Sequence, residues 1–131
     1  MGGSGNMARE SARQVAVIAN GTALSSTINL HGHVLVALVT PAVWTAAAMT
    51  FQVPVYDPVS GAATWIDLYD DAGVEVTIAS AAIPAAAARA FVNKAVLEQL
   101  AALHQFRIRS GVTATPVNQG AERQITVLTK G

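Results

Sequence analysis

Met49-Thr50-Phe51-Gln52-Val53-Pro54-Val55-Tyr56 sets apolar side chains at every second position. A period of two places Met49, Phe51, Val53 and Val55 on one face of a strand, with Thr50, Gln52, Pro54 and Tyr56 on the other. Pro54 has no N–H to give to a ladder, so it predicts an edge or a bulge at that point. Asp57-Pro58-Val59-Ser60-Gly61 then reads as a turn. Beyond it, Thr64–Tyr69 alternates again, with Ile66 and Leu68 on one face and Trp65, Asp67 and Tyr69 on the other. Phe106-Arg107-Ile108-Arg109 repeats the pattern, and both arginines leave the strand on the side away from Phe106 and Ile108.

Shorter signals surround these segments. Gln14–Asn20 is an apolar run closed by the turn pair Asn20-Gly21. Ala23–Leu30 carries Leu24, Ile28 and Leu30, and Val34–Thr40 is β-branched and apolar until Pro41 stops it. Asp70-Asp71-Ala72-Gly73 turns into Val74–Ala79, with Val74, Val76 and Ile78 facing inward. Gly111–Gly120 is a loop containing Pro116, and Gln124–Thr129 is the last strand. Ala81–Ala90 is interrupted by Pro84 and predicts a loop or a single helical turn. Lys94–Leu103 has Val96, Leu97, Leu100 and Leu103 at helical spacing and predicts a short connector helix.

Short strands separated by Gly, Pro and Asn-Gly turns predict an all-β fold: an antiparallel, jelly-roll-like β-sandwich with one short connector helix. Long helices do not alternate with the strands, which argues against a parallel α/β sheet. The Gly/Ser-rich start predicts a flexible N-terminal arm or tag remnant over residues 1–13, followed by a single sandwich domain over 14–131.

The chain has 131 residues, a length suited to one domain. It lacks cysteine, which excludes disulfides, zinc–thiolate sites and thiol nucleophiles. Eight basic and eight acidic residues give a net charge of zero. The basic excess that phosphate contacts draw on is missing, so no direct nucleic-acid partner is expected. The longest clean apolar run, Val34–Val39, is six residues, against the roughly 18 needed to cross a bilayer, so no membrane partner is expected either. Charged residues make up only 12% of the chain, about half the usual share. So few charges protect a monomer poorly from association, which predicts a surface largely covered by other protein. Charge is also uneven. Gln14–Tyr56 has none in 43 residues, Asp57–Glu75 has five acids and no base, and from Arg89 onward six bases face two acids. That asymmetry permits head-to-tail attraction between copies, or neutralisation within one fold.

Chemistry-bearing patterns are sparse. His31-Gly32-His33 has only His104 as a third imidazole and reads as a turn between strands, so no metal is expected. Asp67, Asp70, Asp71 and Glu75 lack the calcium-loop order and read as a hairpin turn with Gly73 at positive φ. Neither a nucleophile elbow nor a phosphate-cradling glycine loop occurs, so no catalytic residue, no cofactor and no enzymatic activity are expected. Trp65 and Tyr69 share a face with Asp67 and form a candidate sugar-stacking row. Arg107 and Arg109 also share a face, and Arg123 joins them if the last strand pairs with theirs. Such a row would grip an acidic partner surface.

Several blocks in order carry a resemblance: Ile18-Ala-Asn-Gly-Thr-Ala-Leu-Ser-Ser-Thr-Ile-Asn-Leu30, Pro41-Ala-Val-Trp-Thr-Ala-Ala-Ala-Met-Thr-Phe-Gln52, Asp67-Leu-Tyr-Asp-Asp-Ala-Gly-Val-Glu75, and Phe106-Arg-Ile-Arg-Ser-Gly111 leading to Pro116-Val-Asn-Gln119. Together they resemble small, uncharacterised virion structural proteins of tailed bacteriophages and prophages. The resemblance spans roughly Val15 to Leu128 and departs at Val53–Ala63 and Ala81–Ala90. It implies a capsid decoration (cement) protein that binds the outer capsid surface and stabilises the head. The implied partners are the major capsid protein and other copies of the chain, as a homo-oligomer with a trimer among the options. The implied location is the virion surface, after synthesis in the host bacterial cytoplasm. The alternative, resting on Trp65 and Tyr69, is a carbohydrate-binding sandwich module or a tail- or fibre-associated adhesion protein with a glycan as its ligand.

Overall fold

The computed structural model describes residues 11–92, 100 and 103–131. Among them the strands are β1 (Ser11–Ile18), β2 (Ile28–Asn29), β3 (Val34–Val39), β4 (Met49–Tyr56), β5 (Ala63–Asp67), β6 (Ala90–Phe91), β7 (Gln105–Val112), β8 (Thr115–Pro116) and β9 (Arg123–Lys130). The alanine-rich segment contributes one 3₁₀ turn, Ser80–Ala82. Two antiparallel sheets pack face to face. The first has the order β1-β9-β3-β6 and the second β2-β7-β4-β5, with β8 folded back on β7. The pairs are nested: β4 with β5, β3 with β6, β2 with β7, β1 with β9. This is one long hairpin rolled up, the strand order of a jelly roll.

The alternation read from the sequence explains which faces meet. Ala16, Ile18, Leu35, Leu38, Ile125 and Val127 point inward from the first sheet, and Ile28, Met49, Phe51, Phe106 and Ile108 from the second. Phe51 and Phe106 meet edge to face, with centroids 6.1 Å apart and planes at 72°, the geometry favoured by the ring quadrupoles. Trp44 plugs one loop end and satisfies its indole N–H on the Ala47 carbonyl at 3.0 Å.

β4 pairs with β7 only from Met49 to Gln52, but with β5 as far as Tyr56. The strand is therefore central up to Gln52 and an edge from Val53 on. Pro54 lies in the edge portion, where a missing N–H breaks no ladder bond. Gly111, at φ +96°, lies within β7 opposite Pro116 of β8, and a Cβ there would sit 2.5 Å from the Thr115 carbonyl oxygen. Only glycine fits that approach.

Some boundaries differ from the sequence reading. β1 begins at Ser11, so residues 11–13 of the expected arm lie in the sheet. Ala23–Leu30 yields only the two residues of β2. Val74–Ala79 forms isolated bridges, Tyr69 to Glu75 and Met49 to Ile78, in place of a strand. The expected loop over Gly111–Gly120 contains β8. The helix expected over Lys94–Leu103 falls outside the described residues, except for Leu100, fully buried, and Leu103, packed against the core.

The packing makes a stability prediction. Phe51→Ala removes a fully buried ring and is expected to cost about 3–5 kcal/mol. Val55→Ala, on the exposed part of the same strand, is expected to cost no more than about 0.5 kcal/mol. Urea denaturation of both variants checks the contrast.

Candidate functional site

The outer face of the second sheet collects most of the polar side chains that the sequence offers for function. On β7, Phe106 and Ile108 face the core, so Arg107 and Arg109 face out. Register places Arg109 beside Thr50 and Arg107 beside Gln52, and Gln52 in turn beside Asp67. The aromatic–acid row and the arginine row, separate in the sequence, therefore become one cluster.

Arg109 is its centre, at 5% exposure. Its Nε donates to the Thr50 hydroxyl at 3.0 Å. Nη1 donates to Asp67 Oδ1 at 2.6 Å. Nη2 donates to Glu75 Oε2 at 2.7 Å and to the Thr113 hydroxyl at 2.7 Å. Glu75 also accepts from the Thr113 hydroxyl and, at 3.3 Å, from its backbone N–H. One cation thus ties β7 to β4, to the end of β5, to the segment after the Asp70 turn, and to the turn between β7 and β8. Such a charge is tolerated in a half-dry site because its donors are met by charged and polar acceptors.

Arg107 sits beside it. Its Nε donates to Gln52 Oε1 at 2.8 Å, and its guanidinium carbon lies 4.2 Å from the centroid of the Trp65 ring. Gln52 passes the chain on, donating from Nε2 to Asp67 Oδ1 at 2.9 Å. Burial, backed by the Arg109 charge, lowers the Arg107 guanidinium from its ordinary value. For Asp67 burial is the largest single effect and pushes its carboxyl up. The hydrogen bonds from Gln52 and Arg109, the Arg109 charge and the Thr113 hydroxyl together outweigh it and hold the group below 3.8. Two cations and two carboxylates leave the cluster neutral. An open cleft of about 410 Å³ lies alongside, with Arg109 and Gln52 on one side and Leu24, Pro116 and Asn118 among its other walls.

Each expected site residue now has a place. Arg107, Arg109 and Trp65 come together. One face of the Trp65 ring is occupied by Arg107, so that face does not offer a sugar-stacking platform. Tyr69 lies past the end of β5, at 48% exposure, and its backbone bridges to Glu75. The only ring–ring contact among the described residues is Phe51 with Phe106, so Trp65 and Tyr69 do not form a stacked pair.

The three-arginine row is corrected. Arg123 opens β9, which pairs with β1 and β3 in the other sheet. It shares its parity with Ile125 and Val127, so it points between the sheets at the sandwich end. There it donates to Gln119 Oε1 at 3.1 Å and to the Thr45 hydroxyl at 3.2 Å.

The histidine pair is a turn, with His31 at φ 51° and Gly32 at φ 76°. Asp70 Oδ1 accepts from the backbone N–H groups of Ala72 and Val74, both at 2.9 Å. Among the described residues no three His, Asp or Glu side chains converge as metal ligands.

Sequence reasoning missed Thr113, a loop residue with no pattern around it, and Glu75 as a ligand of Arg109. Thr50 and Gln52 were legible as the polar face of β4, but not as partners of the arginines. Comparison with protein-family models and with curated proteins finds no match to this chain.

The cluster predicts an acid-sensitive fold. The Asp67 carboxyl is depressed in the folded state, so its contribution is complete above its unfolded value of 3.8 and is lost as pH falls through the lower folded value. The urea midpoint of the wild type should drop between roughly pH 5 and pH 2, and Asp67→Asn should flatten part of that drop. Asp57, also lowered, chiefly by the backbone N–H groups of Ser60 and Val59, accounts for some of what remains. Arg109→Met strands two carboxylates and should cost about 3–5 kcal/mol at neutral pH.

Proposed function

We propose that the protein is a non-enzymatic structural component of a phage virion, a decoration (cement) protein seated on the outer surface of the capsid. The observation that carries this reading is the outer face of the first sheet. Val15, Val17 and Val39 are half-buried there, and Val34 and Val36 are exposed at 58% and 42%. The five come from the stretch without charged residues, and the charges that reach this face from its strands are Arg13, paired with Leu128, and Lys130, paired with Val34. A β-branched sheet face with so few charges is suited to being covered.

The polar cluster on the opposite side supports the same reading. Arg109 is engaged by Asp67 and Glu75, so its charge is directed inward, at holding loops in place, and not at a substrate. A jelly roll is an architecture that capsid proteins use, although lectin domains use it as well. The mechanism needs no bond making or breaking. Apolar area removed from water contributes about 25 cal/mol per Å², and many copies on a lattice add these contacts together. The block-wise resemblance to virion structural proteins supports the major capsid protein as the partner.

Co-sedimentation with purified capsids of the encoding phage, stripped of this protein, tests the proposal. Binding at a fixed copy number per capsid is expected, and Val36→Glu should abolish it while leaving the melting temperature nearly unchanged. Protein that stays in the supernatant, or capsid binding indifferent to Val36→Glu and Val34→Glu, would remove the reading. A glycan array run alongside decides the adhesion alternative: a specific sugar hit lost in Trp65→Ala would favour it.

A further inference from the structure

Among the described residues the sheets have four edges, and three of them are short or partly closed. β2 and β6 are two residues long, too short to template another chain. β1 is longer but is closed at Val17, strapped to Asn29 by the Gln14 side chain, and carries the charge of Arg13. Ser26 N–H donates to the Val17 carbonyl at 2.9 Å, Ser26 Oγ accepts from Val17 N–H at 3.0 Å, and the Gln14 carboxamide bonds both the N–H and the carbonyl of Asn29. The free part of β4 carries Pro54. β5 is the exception. It has five residues, no proline, no lysine and no break in register against β4.

The hydrogen-bond phase shows what β5 presents. Leu68 N–H donates to the Phe51 carbonyl at 3.0 Å, and Asp57 N–H to the Ala62 carbonyl at 2.8 Å. Both fit one antiparallel register, in which Val53–Ile66 and Val55–Thr64 are the bonded pairs between them. The N–H and C=O groups of Ala63, Trp65 and Asp67 therefore point away from β4, and among the described residues β5 is the last strand of its sheet. Beside this edge the hairpin leaves apolar side chains uncovered: Val55 at 56% exposure, Ile66 at 47%, Val59 at the tip at 95%.

We propose that β5 pairs antiparallel with β5 of a second copy, so that two second sheets join into one continuous sheet across a two-fold axis. The edge is self-complementary. With the axis at Trp65, the outward-pointing groups of Ala63, Trp65 and Asp67 meet those of Asp67, Trp65 and Ala63 of the second copy, in the phase that forms bonded pairs. Asp67, the only charged residue of the strand, then faces an alanine, so no like charges oppose. Ile66 comes opposite Thr64 of the second copy, on the face where its side chain is now exposed, and a β-branched cross-strand pair is favourable there. The zero net charge of the chain puts no long-range repulsion between copies. This inference stands on edge geometry alone and does not depend on the capsid reading.

Sedimentation velocity of the full chain over a concentration series tests it. The expected result is a reversible species of twice the 13.5 kDa chain mass. Ala63→Pro deletes an outward N–H that the β4 ladder does not use, and Thr64→Lys places a charge beside the edge; each should return the chain to monomer with an unchanged far-UV spectrum.

The cysteine-free sequence allows a test of register. Bonded antiparallel residues have Cα atoms about 5.5 Å apart, within the roughly 4.4–6.8 Å span of a disulfide. Trp65→Cys should therefore form a covalent dimer under mild oxidation much faster than Val59→Cys at the hairpin tip. A wild type that stays monomeric at every concentration, a dimer that survives both edge variants, or equal cross-linking at positions 65 and 59 would overturn the proposal.

Discussion

The buried Arg109 guanidinium is the contact on which the second sheet's loops depend. A strand of the sandwich core carries it, and besides its bond to Thr50 on the neighbouring strand it reaches Asp67, Glu75 and Thr113, all at or beyond the ends of strands. Alternating strands fix the inner face of such a sheet by themselves, because apolar side chains meet an apolar partner sheet. They do not fix the outer face, where connecting segments are free to lift into water. The ion pairs hold the Asp70 hairpin and the β7–β8 turn down on that face. Arg109 is costly to desolvate, so its value lies less in net stability than in what its loss would leave behind: two carboxylates near one another without the cation that bonds them both.

A chain with few charges must make its other long-range polar connections with neutral groups. Three glutamines do so. Gln14 bonds the backbone of Asn29 and closes the side of the sandwich where β1 and β2 lie. Gln52 links Arg107 to Asp67. Gln119, at 1% exposure, accepts from Thr45 N–H and donates to the Thr45 carbonyl and the Ser110 hydroxyl, joining two loops to β7. A carboxamide both donates and accepts, so it can stand in for a strand's backbone without the desolvation cost of a charge. Among the described residues no buried side-chain nitrogen or oxygen is left without a partner.

The sequence was most legible where side chains alternate. Met49–Tyr56 and Phe106–Arg109 disclosed both the strands and their inward faces, because a period of two is a local property. Pro54 disclosed an edge for the same local reason: a missing donor needs no knowledge of the partner. Pairing was not legible, since it depends on which strands the roll brings together. Arg123 illustrates this. Its strand was expected, but the neighbours β1 and β3 put it in the other sheet, away from Arg107 and Arg109. The site shared the limit. Trp65, Asp67, Arg107 and Arg109 were each visible as outward residues, and only the register of β4 between β5 and β7 makes them one cluster. Glu75 and Thr113 enter through turns, where no periodicity points the way.

The way charge is distributed bears on how the surface is used. Charges gathered into an internal network cannot also keep copies apart in solution. The first sheet's outer face, apart from Arg13 and Lys130, and the β5 edge are left as apolar or hydrogen-bonding surfaces, and they belong to different sheets of the sandwich. A contact made through one does not occlude the other. Face burial is non-directional and tolerant of register, whereas edge pairing fixes orientation through its bonding phase. On the two proposals above, the face carries the adhesion and the edge sets the relative orientation of neighbouring copies.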